Sequence, residues 1–521
     1  MNQFAAQGKD HKWGVLGVVV LGTFMAILDS NIVNVALPKM MAHFSATVDQ
    51  IEWVVTAYMI AFAISMPATG WLQSRLGLKD VFIASLVLFV FGSVLCGLAW
   101  DKDSMIAFRI IQAAGGGAMM PTGITLVSEA FPPQERGMAM GIWSIGAMVA
   151  PSVGPFLGGY LVDEVSWRSI FYINVPVGAL AVLAAIGILS SARGSSPARR
   201  FDLAGFLSFS AFLAALLIAL AQGQREGWNS DYILSCFAIS LLGLGVFLFS
   251  SLRQKDSIID LSLLLNHNFM MASIINFVRA VAIFGSMFLL PLYLQNLMNY
   301  TALRTGIILA PTAVSVAVVS PFSGIIADRI GPRFPLFFGT VLVAYSLYLY
   351  KDISLNSDYW FLFWPQVMRG VGLGLINAPL MSSALNAVRR DQTSNASSLF
   401  TVTMQVGGAF GVALLGAILQ RREFFHYAQY GELLNNAFSP LTFKAQVVMQ
   451  DLLLRAGFAP AEVVAKGKSL LALWVNRQAA VGGFADAFVF SALLITIGIL
   501  PALLIRKRHA SPGAGPRVTA E

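Results

Sequence analysis

Charge is what this sequence has least of. Only 12% of its 521 residues are Asp, Glu, Lys or Arg and 57% are hydrophobic, against about 25% and about 45–50% in soluble globular chains. With a mean hydropathy of +0.72, the composition is that of a polytopic membrane protein. Cysteine is nearly absent. Cys96 and Cys236 both lie inside apolar runs, which excludes a disulfide framework. The five histidines are scattered without metal-ligand spacing, so no metal site is expected. No Walker loop is present, which excludes ATP as the driving force. No nucleophile–base set can be assembled, so neither an enzyme nor a cofactor is expected. Basic residues exceed acidic ones, 34 to 26. They fall between apolar runs instead of forming a basic face, which excludes nucleic acid as a partner.

Apolar runs of about 20 residues, enough to cross a bilayer, are what the sequence has in abundance. They read as fourteen spans: 13–36, 50–72, 80–99, 104–128, 137–161, 169–190, 202–221, 232–252, 269–295, 303–326, 334–351, 359–384, 394–419 and 484–505. Lys9 and Lys12 ahead of the first run imitate a signal peptide. The run continues through Asp29 to Pro38 without a small-residue cleavage site, so it reads as an uncleaved span. The expected organisation is an N-terminal six-helix bundle (1–190), a Ser/Gly/Pro/Arg linker (191–201), two additional spans (202–252), five helices of a second bundle (253–419), a long loop (420–483), the last span (484–505) and a tail (506–521). If the N-terminus is inside, eighteen basic residues fall on inside loops and ends and six on short outside ones. That bias places both termini in the cytoplasm and the long loop outside. Gly70-Trp-Leu-Gln-Ser-Arg75-Leu-Gly77 ends span 2, and Gly324-Ile-Ile-Ala-Asp328-Arg329-Ile-Gly331 ends span 10. Both fall on the second span of their six, as in transporters built from repeated halves.

Span 5 carries Ala150-Pro151-x-x-Gly154-Pro155-x-x-Gly158-Gly159. Proline removes a backbone donor and bends a helix, and the glycines clear one face for a neighbouring helix. One reading is a kinked helix at a seam between moving parts; the other is an ordinary small-residue packing face. Four ionisable residues lie well inside spans: Asp29, Arg109, Arg279 and Arg369. A charge there costs at least a few kcal/mol and marks a functional candidate. Each arginine has a polar neighbour three residues away (Gln112, Asn276, Gln366), on the same helix face. Asn31, Asn34 and Asn377 complete the polar candidates for a central cavity. Asp29 is the one carboxylate well inside any span. By residue count it sits at the depth of Arg109, so the two can pair, either as a proton-binding site or as a structural ion pair. In the long loop, Ser439-Pro440 reads as a helix start. Val447, Leu452, Leu453 and Leu454 stand in a polar frame, and a second helix is expected from about Pro460 to Val481. A helical hairpin and an unstructured connector both remain open.

Several stretches together resemble the fourteen-span drug:proton antiporters of the major facilitator superfamily, most nearly the EmrB type of Gram-negative bacteria. They are Leu28-Asp29-Ser30-Asn31-Ile32-Val33-Asn34-Val35-Ala36-Leu37-Pro38, Trp53-Val-Val-Thr-Ala-Tyr58, Arg109-Ile-Ile-Gln112, the span 5 motif and Trp167-Arg168-Ser-Ile-Phe171-Tyr-Ile-Asn174-Val-Pro176-Val-Gly178. Departures are Asn31 for a usual threonine, Ala113 for a usual glycine, and Ser74 for a usual aspartate. The last puts in doubt an inward gating latch in the first half; Asp328 keeps the aspartate in the second.

The resemblance implies an all-α fold with two pseudo-symmetric six-helix bundles and proton-coupled efflux from the bacterial inner membrane. It places proton coupling on Asp29 and Arg109 and a substrate cavity around Asn31, Asn34, Gln112, Asn276, Arg279, Gln366, Arg369 and Asn377. It makes Pro151, Gly154, Pro155, Gly158 and Gly159 a conformational motif, and Gly70, Arg75, Gly77, Gly324, Asp328, Arg329 and Gly331 gating loops. The implied partners are membrane lipid, protons, drug-like molecules, a periplasmic adaptor (membrane fusion) protein and an outer-membrane channel of the TolC type. Three arginines against one aspartate favour lipophilic anions or neutral compounds over cations. A proton-coupled carrier of one metabolite, such as a fatty acid or siderophore, stays open as the alternative. So does a membrane receptor without transport, which the intramembrane charges and repeated halves disfavour.

Overall fold

The structure is a computed structural model that describes residues 9–190, 201–253, 257–389, 392–435 and 440–506. The linker expected at 191–201 and the tail lie almost wholly outside these, as does Ser439. The described residues form α-helices joined by short turns, with no strand among them. The first half comprises α1 (Lys9–Phe44), α2 (Val48–Leu76), α3 (Leu78–Gly97), α4 (Lys102–Ala130), α5 (Arg136–Glu164), α6 (Ser169–Tyr172) and α7 (Asn174–Ile188). Then come α8 (Leu203–Glu226) and α9 (Asp231–Arg253). The second half holds α10 (His267–Leu292), α11 (Ala302–Ile330), α12 (Arg333–Tyr348), α13 (Tyr359–Ala387), α14 (Thr393–Asn435), α15 (Pro440–Arg455), α16 (Pro460–Thr496) and α17 (Ile499–Leu504).

Polar caps set the helix starts. Thr47 and Gln50 form a reciprocal capping box before α2, and Asp101 and Ser104 form one before α4, satisfying amide donors that the first turn leaves bare. Asp358 caps α13 by accepting from the Phe361 amide at 2.9 Å. The repeated loops end alike. Gly77 and Gly331 both take positive φ, 90° and 105°, a conformation open to glycine at no steric cost. The packing repeats as well. α1 lies on α5 as α10 does on α14; α2 and α3 flank α4 as α11 and α12 flank α13; and α3 lies on α7 as α12 does on α16.

Among the described residues twelve helices are long and apolar enough to cross a membrane, and thirteen if the bent α5 is one span, against the fourteen expected. The helix outside that set is α13. It has 29 residues, but Gln366, Arg369 and Asn377 within it lower its hydropathy. The long loop also differs in form. α14 continues past position 419 to Asn435, and α16 runs unbroken for 37 residues from Pro460 into the last span. The extramembrane part is therefore two extended spans with α15 packed on α16.

Candidate functional site

The capping box at Asp101 starts α4 so that Arg109 falls two turns in. Gly92 lets α3 press on α4, since a Cβ there would sit 2.6 Å from the Gln112 backbone. The break at Ile173 begins α7 at Asn174. These three local features converge on Asp29 of α1. Its Oδ2 accepts from Arg109 Nη1 at 2.5 Å, and its Oδ1 accepts from Gln112 Nε2 and Asn174 Nδ2, each at 2.8 Å. Arg109 Nη1 also donates to Gln112 Oε1 at 2.7 Å. The guanidinium lies 3.8 Å from the Tyr58 ring centroid, a cation–π contact that desolvation strengthens. Asn174 is steadied by Ser93 Oγ at 3.0 Å, and Cys96 Sγ donates to Gln112 Oε1 at 3.6 Å. Every side chain in this cluster is 2% exposed or less. An ion pair so buried costs more to break by removing one partner, about 3–5 kcal/mol, than it contributes by existing.

The structure thus pairs Asp29 with Arg109. It adds Asn174, Tyr58, Ser93 and Cys96, which spacing along single helices does not single out, although Asn174 and Tyr58 stand in the quoted motifs. Asn31 is not part of the cluster. Its Nδ2 donates to Ile27 O of its own helix at 2.7 Å, and Asn34 is exposed.

Among the described residues the second half has no equivalent carboxylate. Arg279 donates to Asn377 Oδ1, to Asn276 Oδ1 at 3.0 Å and to Met404 Sδ at 3.8 Å. Arg369 donates to Gln366 Oε1 at 2.6 Å, and Gln366 Nε2 donates to Tyr350 Oη at 2.9 Å. Each arginine therefore meets its expected i−3 neighbour, but the two form separate clusters. Among the described residues neither has an acidic partner, and Arg279 Nε, Arg369 Nη1 and Asn377 Nδ2 are buried donors without an acceptor.

The two halves are bonded at one end. Asp328 accepts from the Gly137 and Met138 amides, at 3.2 and 3.3 Å, at the start of α5. A carboxylate is favoured there by the free amides and the helix dipole. Gly324 lies so close to Gly137 that a Cβ would come within 2.1 Å of its carbonyl oxygen. Ser144 meets Ser320 at 2.7 Å, Thr125 meets Ser397 at 2.7 Å, and Ser398 donates to Met66 O at 2.6 Å. Arg136 donates to Asn386 at 2.7 Å. In the first loop copy Gly70 faces Asn395, while Ser74 turns back to Trp71 O of its own helix at 2.7 Å and Arg75 lies over the Trp71 ring. Among the described residues no side-chain hydrogen bond joins the two six-helix halves at the opposite end.

The span 5 motif faces elsewhere. Gly154 and Gly158 pack on Asn31 and Ile32 of α1 within the same half, and Gly159 meets nothing within 4 Å. The axis of α5 turns by 42° between Arg136–Pro151 and Phe156–Glu164. The side chain of Pro155 lies outside the described residues. The seam with the other half is built by Gly137, Gly141 and Ser144 instead.

Paired six-helix bundles of matching packing, sealed against each other at one end, are joined by a sequence match over residues 19–412 to the Major Facilitator Superfamily. The chain belongs to this family. It is a multi-pass membrane transporter and not an enzyme. It is 31% identical to the multidrug export protein EmrB of Escherichia coli K12 over 83% of this chain and 84% of that one. It is 30% identical to the fatty acid resistance protein FarB of Neisseria gonorrhoeae over 79% and 82%. It is also 30% identical to the uncharacterized MFS-type transporter YhcA of Bacillus subtilis, over 94% and 92%. The crystal structure of the human organic anion transporter MFSD10 superposes with a TM-score of 0.60, covering 94% of this chain and all of that one. At 12% identity that likeness concerns the fold.

Proposed function

We propose that this transporter is a proton-coupled multidrug exporter of the bacterial inner membrane. It moves lipophilic anionic or neutral toxic compounds outward by alternating access. The observation that carries the proposal is the sealed Asp29 cluster. The carboxylate faces one cation and two amide donors, all of them contacts that suit a negative charge. Protonation would leave Arg109 as an uncompensated buried charge, so α1 and α4 must rearrange. That makes a proton a ligand with different affinity for two states, which is the requirement for coupling. With both termini cytoplasmic, the sealed end is the inner one and the structure faces outward.

The spare donors at Arg279, Arg369 and Asn377 support an anionic substrate, since charge-assisted hydrogen bonds in a low-dielectric site are strong. The FarB relative, named for fatty acid resistance, is consistent with this. The outward extension supports a partner. Val447, Val448, Leu452, Leu454, Leu473 and Trp474 are each about half exposed there, a density of bare apolar residues that marks an interaction surface. A periplasmic adaptor leading to an outer-membrane channel fits it, as the resemblance to EmrB implies. The test is substrate-dependent collapse of a pH gradient in everted vesicles. Collapse on adding acidic lipophilic compounds that exceeds the collapse in matched vesicles carrying Asp29→Asn supports the proposal; collapse equal to that control for all of them refutes it.

A further inference from the structure

The two seams between the halves are unequal. Where α2 meets α14, α8 lies against both. Arg225 of α8 pairs with Asp49 and with Glu52 at 3.2 Å, and Gln224 fills the space over Gly416 of α14. α8 thus covers that seam, with α9 packed on α8. Where α5 meets α11, the side toward the membrane is bare, with Phe156, Val314 and Val318 each more than half exposed.

Along this bare seam the packing is tight at Gly137, Gly141 and Ser144 and opens from Val149 onward. A groove of about 440 Å³ runs between Val149, Val153 and Phe156 on α5 and Ile307, Ala310 and Val314 on α11. It falls within the roughly 300–1,000 Å³ of small-molecule sites, which ordinarily hold a few polar groups to orient the ligand. Among the described residues this lining has no polar side chain, so it suits hydrocarbon. Its walls belong to opposite halves, so rocking makes and unmakes it, which suits a molecule in transit better than a resident lipid. On the same α11, Thr312 donates to the Gln366 carbonyl of α13 at 3.0 Å, and the Gln366 side chain accepts from Arg369.

Resting on the efflux reading above, we propose that the α5–α11 groove is a lateral doorway. Through it the hydrocarbon tail of a single-chain acidic amphiphile passes into the bilayer, while α8 closes the opposite seam.

The probe is a long-chain fatty acid with a mid-chain diazirine, photolysed with the full protein in lipid nanodiscs. Adducts are expected on 149–156 and 303–318, displaced by unlabelled fatty acid. Val314→Trp, with Ile307→Trp as a second variant, should cut labelling at least tenfold. Both should slow export of the long-chain acid at least tenfold against wild type, while a short-chain acid still releases protons normally. Three outcomes overturn the doorway: no adducts on those segments; equal labelling by a phospholipid carrying the same chain, undisplaced by fatty acid; or unchanged labelling and export in both variants. Failure of the wild type to release protons with either acid refutes the efflux reading instead, and the adduct map then decides the groove alone.

Discussion

Asp328→Ala should open the end of the protein that is closed here. Asp328 reaches across the halves and accepts two amide hydrogen bonds from the first turn of α5, where the helix dipole adds to the attraction. A hydrogen bond to a charged group contributes about 1.5–3 kcal/mol, and an amide left without an acceptor costs further. Both distances, 3.2 and 3.3 Å, are at the long end, and the freed amides gain water once the seam parts. We therefore take the low end for the pair, about 2 kcal/mol, which is roughly a 30-fold change in the ratio of closed to open forms. Spin labels at Leu76 and Ile330, both exposed at this end, report the separation of the halves by pulsed dipolar spectroscopy. The substitution should add a longer distance that wild type lacks. An unchanged distribution in a folded Asp328→Ala protein would show that Gly137, Gly324 and the serine pairs hold the seal without the carboxylate.

Much of this architecture is legible in the sequence because depth along a helix is countable. Apolar runs give the spans, and counting from their ends puts Asp29 level with Arg109. The repeated loops show themselves because only glycine suits the positive φ at Gly77 and Gly331. What counting cannot supply is the direction each helix face points. Asn174 starts a helix far from Asp29 in sequence, and the packing of α7 on α1 brings them together. For the same reason the span 5 glycines signal close packing without naming the partner: Gly154 and Gly158 serve α1, while Gly137 and Gly141 serve the seam. Hydropathy also misleads at α13, because Gln366, Arg369 and Asn377, the residues that make it a candidate cavity helix, make it less apolar.

Three further outcomes are expected. Ser469→Cys on the extension should react with an impermeant thiol reagent in intact cells, and Leu76→Cys only after permeabilisation; the reverse would invert the topology. Leu473→Glu with Trp474→Glu should abolish resistance in cells yet leave proton-coupled transport in vesicles intact; retained resistance would count against adaptor docking on this face. Arg279→Ala should lower export of acidic compounds about tenfold or more, the scale of one lost charge-assisted hydrogen bond, and leave neutral compounds nearly unchanged. Robust export of a divalent cationic dye, indifferent to Arg279→Ala and Arg369→Ala, would refute the anion preference.

The central claim is that Asp29 carries the transported proton. Substrate-induced proton release from purified, reconstituted protein measures it directly. Wild type should release protons on substrate addition, and Asp29→Asn should release none while still folding and binding substrate. Asn174→Leu, which removes one donor to Asp29 Oδ1, should reduce the substrate-induced release without abolishing substrate binding. Near wild-type release from Asp29→Asn would move the coupling site elsewhere and contradict the account.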